Sequence, residues 1–241
     1  MTETKHDARL ARLLDRTEIF DLVRTERFYR DQRDWKGLVG SYIKNSPVRT
    51  TWFDGTIEGF AEASRRKMEE QGSTAKHWIF PTMLRIAGDR ATIESPAMIF
   101  DRITFDNVQF DVHQYCRFFS RVVRTPEGWR LASFEGIYQW DRFQTVNPSD
   151  PLPVDWDLLK TLRPSYRFLA YTQVRRGYKV NPELIGDDRP DLLNAFYARE
   201  TQWLEAGPES HSLSPRPFRT GCVAVPRRRS PARAGCCRLG C

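Results

Sequence analysis

A chain of 241 residues, 40% hydrophobic and 12% aromatic, can bury a core without disulfide or metal staples, as one large domain or two small ones. The net charge of +7 would suggest a nucleic-acid partner, but seven arginines and no Asp, Glu or Lys fall in residues 211–241, so residues 1–210 hold 31 basic against 31 acidic groups and the neutral body excludes one. The charged stretch MTETKHDARLAR lacks the apolar centre of a signal peptide, and no later run nears the roughly 18 apolar residues of a membrane span, so a soluble, cytoplasmic protein without a membrane partner is expected.

Asp15 and Glu18 have the spacing of a capping box, followed by the apolar stripe Ile19, Leu22 and Val23, which predicts a helix from Asp15 to about Tyr29 or Arg30. Asp34 reads as the N-cap of a short second helix carrying Trp35, Leu38, Val39 and Tyr42 on one side. A third helix should begin after Asp54-Gly55-Thr56, with Ile57, Phe60, Ala61, Ser64 and Met68 on one face. The period then falls from 3.6 to 2. Strand-like runs at 76–87, 90–102, 108–124 and 128–140, separated by short turns, predict an antiparallel meander.

In the run from Val108, one side carries Val108, Phe110, Val112, Gln114, Cys116 and Phe118, the better candidate for a helix-covered interior. The other carries Asp111, His113, Tyr115, Arg117 and Phe119. Helices followed by a long curved sheet predict an α+β cone, with a pocket between the helices and the concave face. Asn147-Pro148-Ser149-Asp150-Pro151 reads as a linker, and helical periodicity returns over Leu158–Leu162, Tyr166–Val174 and Asp191–Leu204. The division expected is a cone domain over 1–145, a helical extension over 146–207, covering the pocket mouth or extending a dimer interface, and a basic tail over 208–241. The tail's Arg, Pro, Gly, Ala and Cys bias also resembles a shifted reading frame of GC-rich coding sequence, and disorder is expected there.

No Gly-rich phosphate loop, HExxH helix, nucleophile elbow or CxxC pair is present, which leaves acid–base chemistry with neither metal nor cofactor. The body has three histidines, of which His6 lies near the terminus and His113, by strand alternation, on the outer face; a bulge would reverse that placement. His77 opens the first long strand in the aromatic setting His77-Trp78-Ile79-Phe80, which favours a neutral base. A core histidine satisfied by backbone is the bland alternative for His77, as capping or solvation is for Asp31 at the end of the first helix.

Asp31-Gln32-Arg33-Asp34-Trp35 resembles the Asp-x-x-Asp-Trp corner of scytalone dehydratase-like proteins, and His77-Trp78-Ile79 resembles the strand that carries their histidine. Glu127-Gly128-Trp129-Arg130 is similar to the turn before the last strand of SnoaL-like proteins, a branch of the nuclear-transport-factor-2-like superfamily. The resemblance spans residues 8–145. It implies that Asp31 orients His77 and that His77 removes a proton next to a carbonyl or returns one to a leaving oxygen; the hexachlorocyclohexane dehydrochlorinases of this superfamily use the same Asp–His pair. Substrate-binding candidates are Tyr29, Trp52, Trp78, Phe118 and His113. The chain departs from the pattern at Arg30, at Thr50 and Thr51, where the dehydratase has tyrosines, and over Phe100–Arg102, where it has a second histidine, so scytalone itself is not the expected substrate.

These features point to a cofactor-free lyase or isomerase acting on a small apolar or aromatic carbonyl compound. The competing readings are a structural subunit resembling the β subunit of ring-hydroxylating dioxygenases and a small-ligand-binding module. A homodimer through the outer sheet face is expected, because Tyr115 and Phe119 alternate there with Arg117 and Arg121. Residues 211–241 have no apolar periodicity, so deleting them should leave Tm unchanged in a calorimetric scan; a drop of several degrees would show that they pack on the body.

Overall fold

The computed structural model describes residues 2–70, 72, 74–152 and 154–206, which fall within one compact unit; the expected disordered tail lies outside the described residues. Three helices occupy the N-terminal part, α1 (Thr2–Gln32), α2 (Trp35–Gly40) and α3 (Ile57–Glu70), and two short sheet strands not expected from sequence lie between the second and the third. Asp34 caps α2 as its sequence position implied, its carboxylate accepting from the Gly37 amide at 2.8 Å. The expected capping box at Asp15 is corrected: α1 starts at Thr2, so Asp15 and Glu18 are mid-helix. Both instead face the sheet. Glu18 accepts from the backbone amide of Trp129 at 2.8 Å, while Asp15 accepts from its indole N–H at 3.0 Å and from Arg124 at 2.8 Å. The carboxylates that resembled a cap tie α1 to a β-turn.

β1 (Pro47–Arg49) and β2 (Asp54–Thr56) join six later strands, β3 (Lys76–Ile79), β4 (Met83–Ala87), β5 (Arg90–Phe105), β6 (Val108–Thr125), β7 (Gly128–Leu131) and β8 (Phe134–Thr145), in one curved eight-stranded sheet of order β2-β1-β8-β6-β5-β3, with β4 also paired to β5 and β7 to β6. The pairing is antiparallel except where β1 runs parallel to β8. Two expected strands are each divided. Pro81 has no amide to donate, and the run from Lys76 stops at Ile79 before resuming at Met83. The last run breaks at Ala132-Ser133, where the Ser133 hydroxyl accepts the Arg121 amide at 3.2 Å in place of a backbone partner.

The core lies between the helices and the concave face. Ile19 and Val23 of α1, Leu38 of α2 and Phe60 of α3 meet Ile93 and Ala97 of β5, Cys116, Phe118 and Val122 of β6, and Phe134 and Tyr138 of β8. The inward set read from alternation along β6 is the buried one, with Phe110, Val112, Gln114, Cys116 and Phe118 all enclosed. A register shift in the β6–β8 pairing falls between Tyr115 and Cys116, whereas β5 and β6 pair without interruption, so His113 keeps the outward orientation that alternation assigned.

The C-terminal part forms α4 (Trp156–Lys160), α5 (Arg167–Arg175) and α6 (Pro190–Glu205). Leu169 and Ala170 of α5 join the main core. The α5 end closes over β8 and the β1–β2 loop, where Gln173 donates to the Thr51 hydroxyl at 2.7 Å and the Thr51 amide donates to the Tyr138 phenol at 3.0 Å. α6 lies on the outer sheet face. Its Phe196 packs edge-on against Phe119 at 4.9 Å, and Arg121 donates twice to Glu200, at 2.7 and 3.0 Å. The surface expected to pair two copies is therefore corrected at these positions: Phe119 and Arg121 are buried by the chain's own helix. Among the described residues no helix is long and apolar enough to cross a membrane.

Removing one partner of a buried ion pair strands the other charge, at a cost of about 3–5 kcal/mol. Glu200→Ala should therefore lower the unfolding free energy read from urea titration strongly, whereas Glu62→Ala, which removes an exposed partner of Arg65, should change it by less than about 1 kcal/mol. Equal effects would mean that Arg121 does not depend on Glu200.

Candidate functional site

The last turn of α1 presents Asp31, and the helix ends immediately beyond it. Arg33 takes a left-handed conformation at φ 67°, and the Asp34 amide donates back to the Tyr29 carbonyl at 2.9 Å, so the chain turns sharply into α2. β3 brings His77 alongside as it pairs with Ile99 of β5. Asp31 then binds His77 through both carboxylate oxygens: Oδ2 accepts the His77 amide at 2.6 Å, and Oδ1 lies 2.8 Å from Nδ1. Arg30 donates to the same Oδ1 at 3.1 Å and to the Ala75 carbonyl at 3.0 Å. Lys76 donates to the Asp31 carbonyl at 2.6 Å.

Both side chains are only 7% exposed, and the burial decides their protonation. Burial disfavours imidazolium and, although Asp31 opposes it, lowers the pKa of His77 to about 4. Burial would raise the Asp31 carboxyl, but His77, Arg30 and the His77 amide outweigh it and lower that pKa to about 2. At neutral pH the pair is a carboxylate and a neutral imidazole. A carboxylate can only accept, so the proton sits on Nδ1 and the Nε2 lone pair is left without a hydrogen-bond partner among the described residues.

A cavity of about 340 Å³ opens here, lined by Arg27, Asp31, His77 and Ile79 together with the outer residues of α1 and β3. Arg27 lies one helical turn before Asp31, its guanidinium 4.3 Å from the Phe134 ring and 5.2 Å from Phe118, and Nη2 donates to Glu26 at 3.1 Å. Its Nε is buried without a partner. Glu26 also accepts from the Tyr42 hydroxyl at 2.9 Å, and burial raises its carboxyl pKa against the pull of Arg27.

Of the substrate-binding candidates, Phe118 lies beside the dyad, 5.9 Å from the His77 ring. Trp52 stands further along the interior wall against Phe60 at 5.6 Å, and Tyr29 packs on the α2 corner at Gly37, leaving no room there for a Cβ. Trp78 and His113 are placed differently from expectation. Trp78 touches the rim of the cavity, but its ring is 57% exposed and rests on Phe100 at 4.6 Å on the outer face. His113 adjoins the same Phe100 at 5.2 Å, across the sheet from His77, because neighbours along a strand and its ladder alternate in direction. Arg27, Glu26 and Lys67 were not singled out from sequence. A signal existed: Arg27 continues the Ile19–Val23 stripe, and Lys67 follows Phe60 and Ser64 on the inner face of α3.

The model of the SnoaL-like domain matches residues 11–135. The chain belongs to the SnoaL-like family. It is 30% identical to a PEP2-like protein of Fusarium vanettenii over 80% of this chain and 87% of that protein, and 29% identical to pea pathogenicity protein 2 of the same fungus over 79% and 84%. An NTF2-like protein with a cystatin-like fold from Novosphingobium aromaticivorans is similar over 55% of this chain and 87% of that one, with 24% identity and a TM-score of 0.46. The match to the SnoaL-like domain contains both Asp31 and His77, and ends before the helices that close the cone.

The His77 pKa is lower in the folded than in the unfolded chain, so between pH 6.5 and about 4 the unfolded chain binds the extra proton. Stability from this group is complete above pH 6.5 and is lost as the pH falls through that window; Asp31, shifted from 3.8 to about 2, extends the loss to lower pH. Urea midpoints of His77→Gln should decline less than wild type over the upper window. Parallel declines would show that His77 is not held neutral by the fold.

Proposed function

We propose that this SnoaL-like protein is a lyase or isomerase, resembling the scytalone dehydratase-like enzymes, that acts on a small apolar or aromatic carbonyl compound through Asp31 and His77. The observation that carries the proposal is the buried 2.8 Å contact between Nδ1 and Asp31, which fixes one tautomer and leaves an unpartnered Nε2 lone pair on a residue that lines an open cavity. In the first step Nε2 takes the proton from the carbon next to the carbonyl, and the freed electron pair moves into an enolate. Asp31 stabilises the imidazolium that forms, and Arg27 stands on the same cavity wall to balance the enolate charge. In an elimination the electron pair then expels a β-hydroxyl, which leaves as water with the proton from His77; in an isomerisation that proton returns to another carbon. Neither route requires a cofactor.

A second reading has support of its own. Arg27, Phe118 and Phe134 fill much of the space beside His77, as would suit a ligand-binding or structural module. Pairing of two copies is confined to the part of the outer face that α6 leaves open, where Tyr115 stacks on Trp140 at 3.9 Å.

The readings separate in a hydrogen-exchange assay, with the loss of α-hydrogen from a panel of aryl ketones and β-hydroxy ketones followed by NMR in heavy water. Asp31→Asn and His77→Gln should each slow exchange by about 10²-fold or more, and the double variant should be little worse than the worse single one. Additive losses, or full activity in His77→Gln, would overturn the pairing. Binding without exchange would favour the module.

A further inference from the structure

Lys67 is a buried cation that the proton-transfer chemistry does not use. It projects from the inner face of α3, is 6% exposed, and makes no ion pair with any described carboxylate. Its Nζ lies 4.4 Å from the centre of the Trp52 ring and 5.1 Å from that of Tyr178. The other charged groups facing it are Arg30 of α1, Asp101 of β5 and Arg176 at the end of α5. Asp101 is already engaged, accepting from Arg176 at 3.1 Å. Burial first, then Arg30 and Arg176, lower the ammonium pKa to about 7 against the pull of Asp101.

A second orphan lies on the same wall. Gln173 is 3% exposed, and its Oε1 has no hydrogen-bond partner although its amide nitrogen is spent on Thr51, the residue before Trp52. The Tyr178 amide donates to the backbone carbonyl of Gln173 at 2.9 Å, which ties that segment to the end of α5. A buried ammonium without a counterion and a buried carbonyl without a donor are costly apart, and both costs fall if a ligand supplies the missing groups.

We infer that Lys67 anchors the carboxylate of a small aromatic acid whose ring packs along the Trp52–Phe60 wall, with Gln173 placed to accept a hydroxyl from it. One compact ammonium among aromatic rings suits a monoanion. A phosphate dianion would need several donors to replace its water, whereas Arg30 Nη1 is committed to Asp31 and Ala75 and its unpartnered Nε would add a single donor. The inference rests on the proposed action on a small carbonyl compound and narrows that compound to one bearing a carboxylate.

An anion at Nζ must raise the ammonium pKa, so at about pH 8 binding should take up a proton. Titration calorimetry of the full chain with benzoate, in two buffers of different ionisation enthalpy, reads that proton directly; benzamide is the neutral control. Benzoate should bind at least about tenfold more tightly than benzamide, with close to one proton taken up, and should weaken by up to about tenfold between pH 8 and 9. Lys67→Met should lose the preference for benzoate. Lys67→Arg, charged at every pH tested, should retain benzoate without the proton uptake, and guards against a folding defect in the methionine variant. Equal affinity for the two probes, unchanged benzoate binding in Lys67→Met, or binding without proton uptake would overturn the inference. The outcomes are separable: the dyad variants can fail in exchange while this pattern holds, and the pattern can fail while the dyad behaves as proposed.

Discussion

The carboxylate of Asp31 is the constraint on which the rest of the site depends. It joins the end of α1 to the start of β3 by accepting both the amide and the imidazole of His77, so two segments 46 residues apart are fixed by one side chain. Bonding to two donors on one residue fixes direction as well as distance: the imidazole can neither rotate nor exchange tautomers without breaking a bond in a buried setting. The sharp turn at Arg33 matters for the same reason, since another turn of helix would carry the chain past β3.

Around that carboxylate the fold gathers an excess of positive charge. Arg27 and Arg30 follow α1 inward, Lys67 faces them from α3 and Arg176 from the end of α5, while Glu26, Asp31 and Asp101 provide the acidic counterparts. Burial pushes Glu26 toward its neutral form and His77 toward its own, so the chamber favours neutral or anionic occupants over cations. Aromatic rings fill the gaps between these charges. Arg27 against Phe134 and Lys67 against Trp52 show how guanidinium and ammonium groups are kept inside without a full set of carboxylates.

Much of this was legible in the sequence, because alternation and helical period are local. The inward face of β6 and the cap at Asp34 follow from spacing within a few residues, whereas Asp31 and His77 were singled out by the resemblance of the motifs around them. The failures had a common cause: long-range contacts override local signals. Asp15 and Glu18 carry the pattern of a helix start, yet their partners are Trp129 and Arg124, more than 100 residues away, and no local rule weighs such contacts. Trp78 was attractive as an aromatic beside the histidine, but adjacency along a strand sends the two rings to opposite faces. Arg27 and Lys67 escaped notice because charged residues on an apolar stripe are usually read as its edge. Here they enter the interior.

The helix α6 on the outer sheet face has a consequence for assembly. Any second chain that sought Phe119 would compete with a segment joined to the same molecule through residues 176–189, and a tether of that kind holds its occupant at an effective concentration on the order of millimolar. A partner present at micromolar levels is then outcompeted by roughly a thousandfold before its own affinity is counted. Self-association through that half of the sheet thus becomes an exchange reaction, limited by how often α6 lets go, and the bidentate clasp of Arg121 on Glu200 sets that frequency.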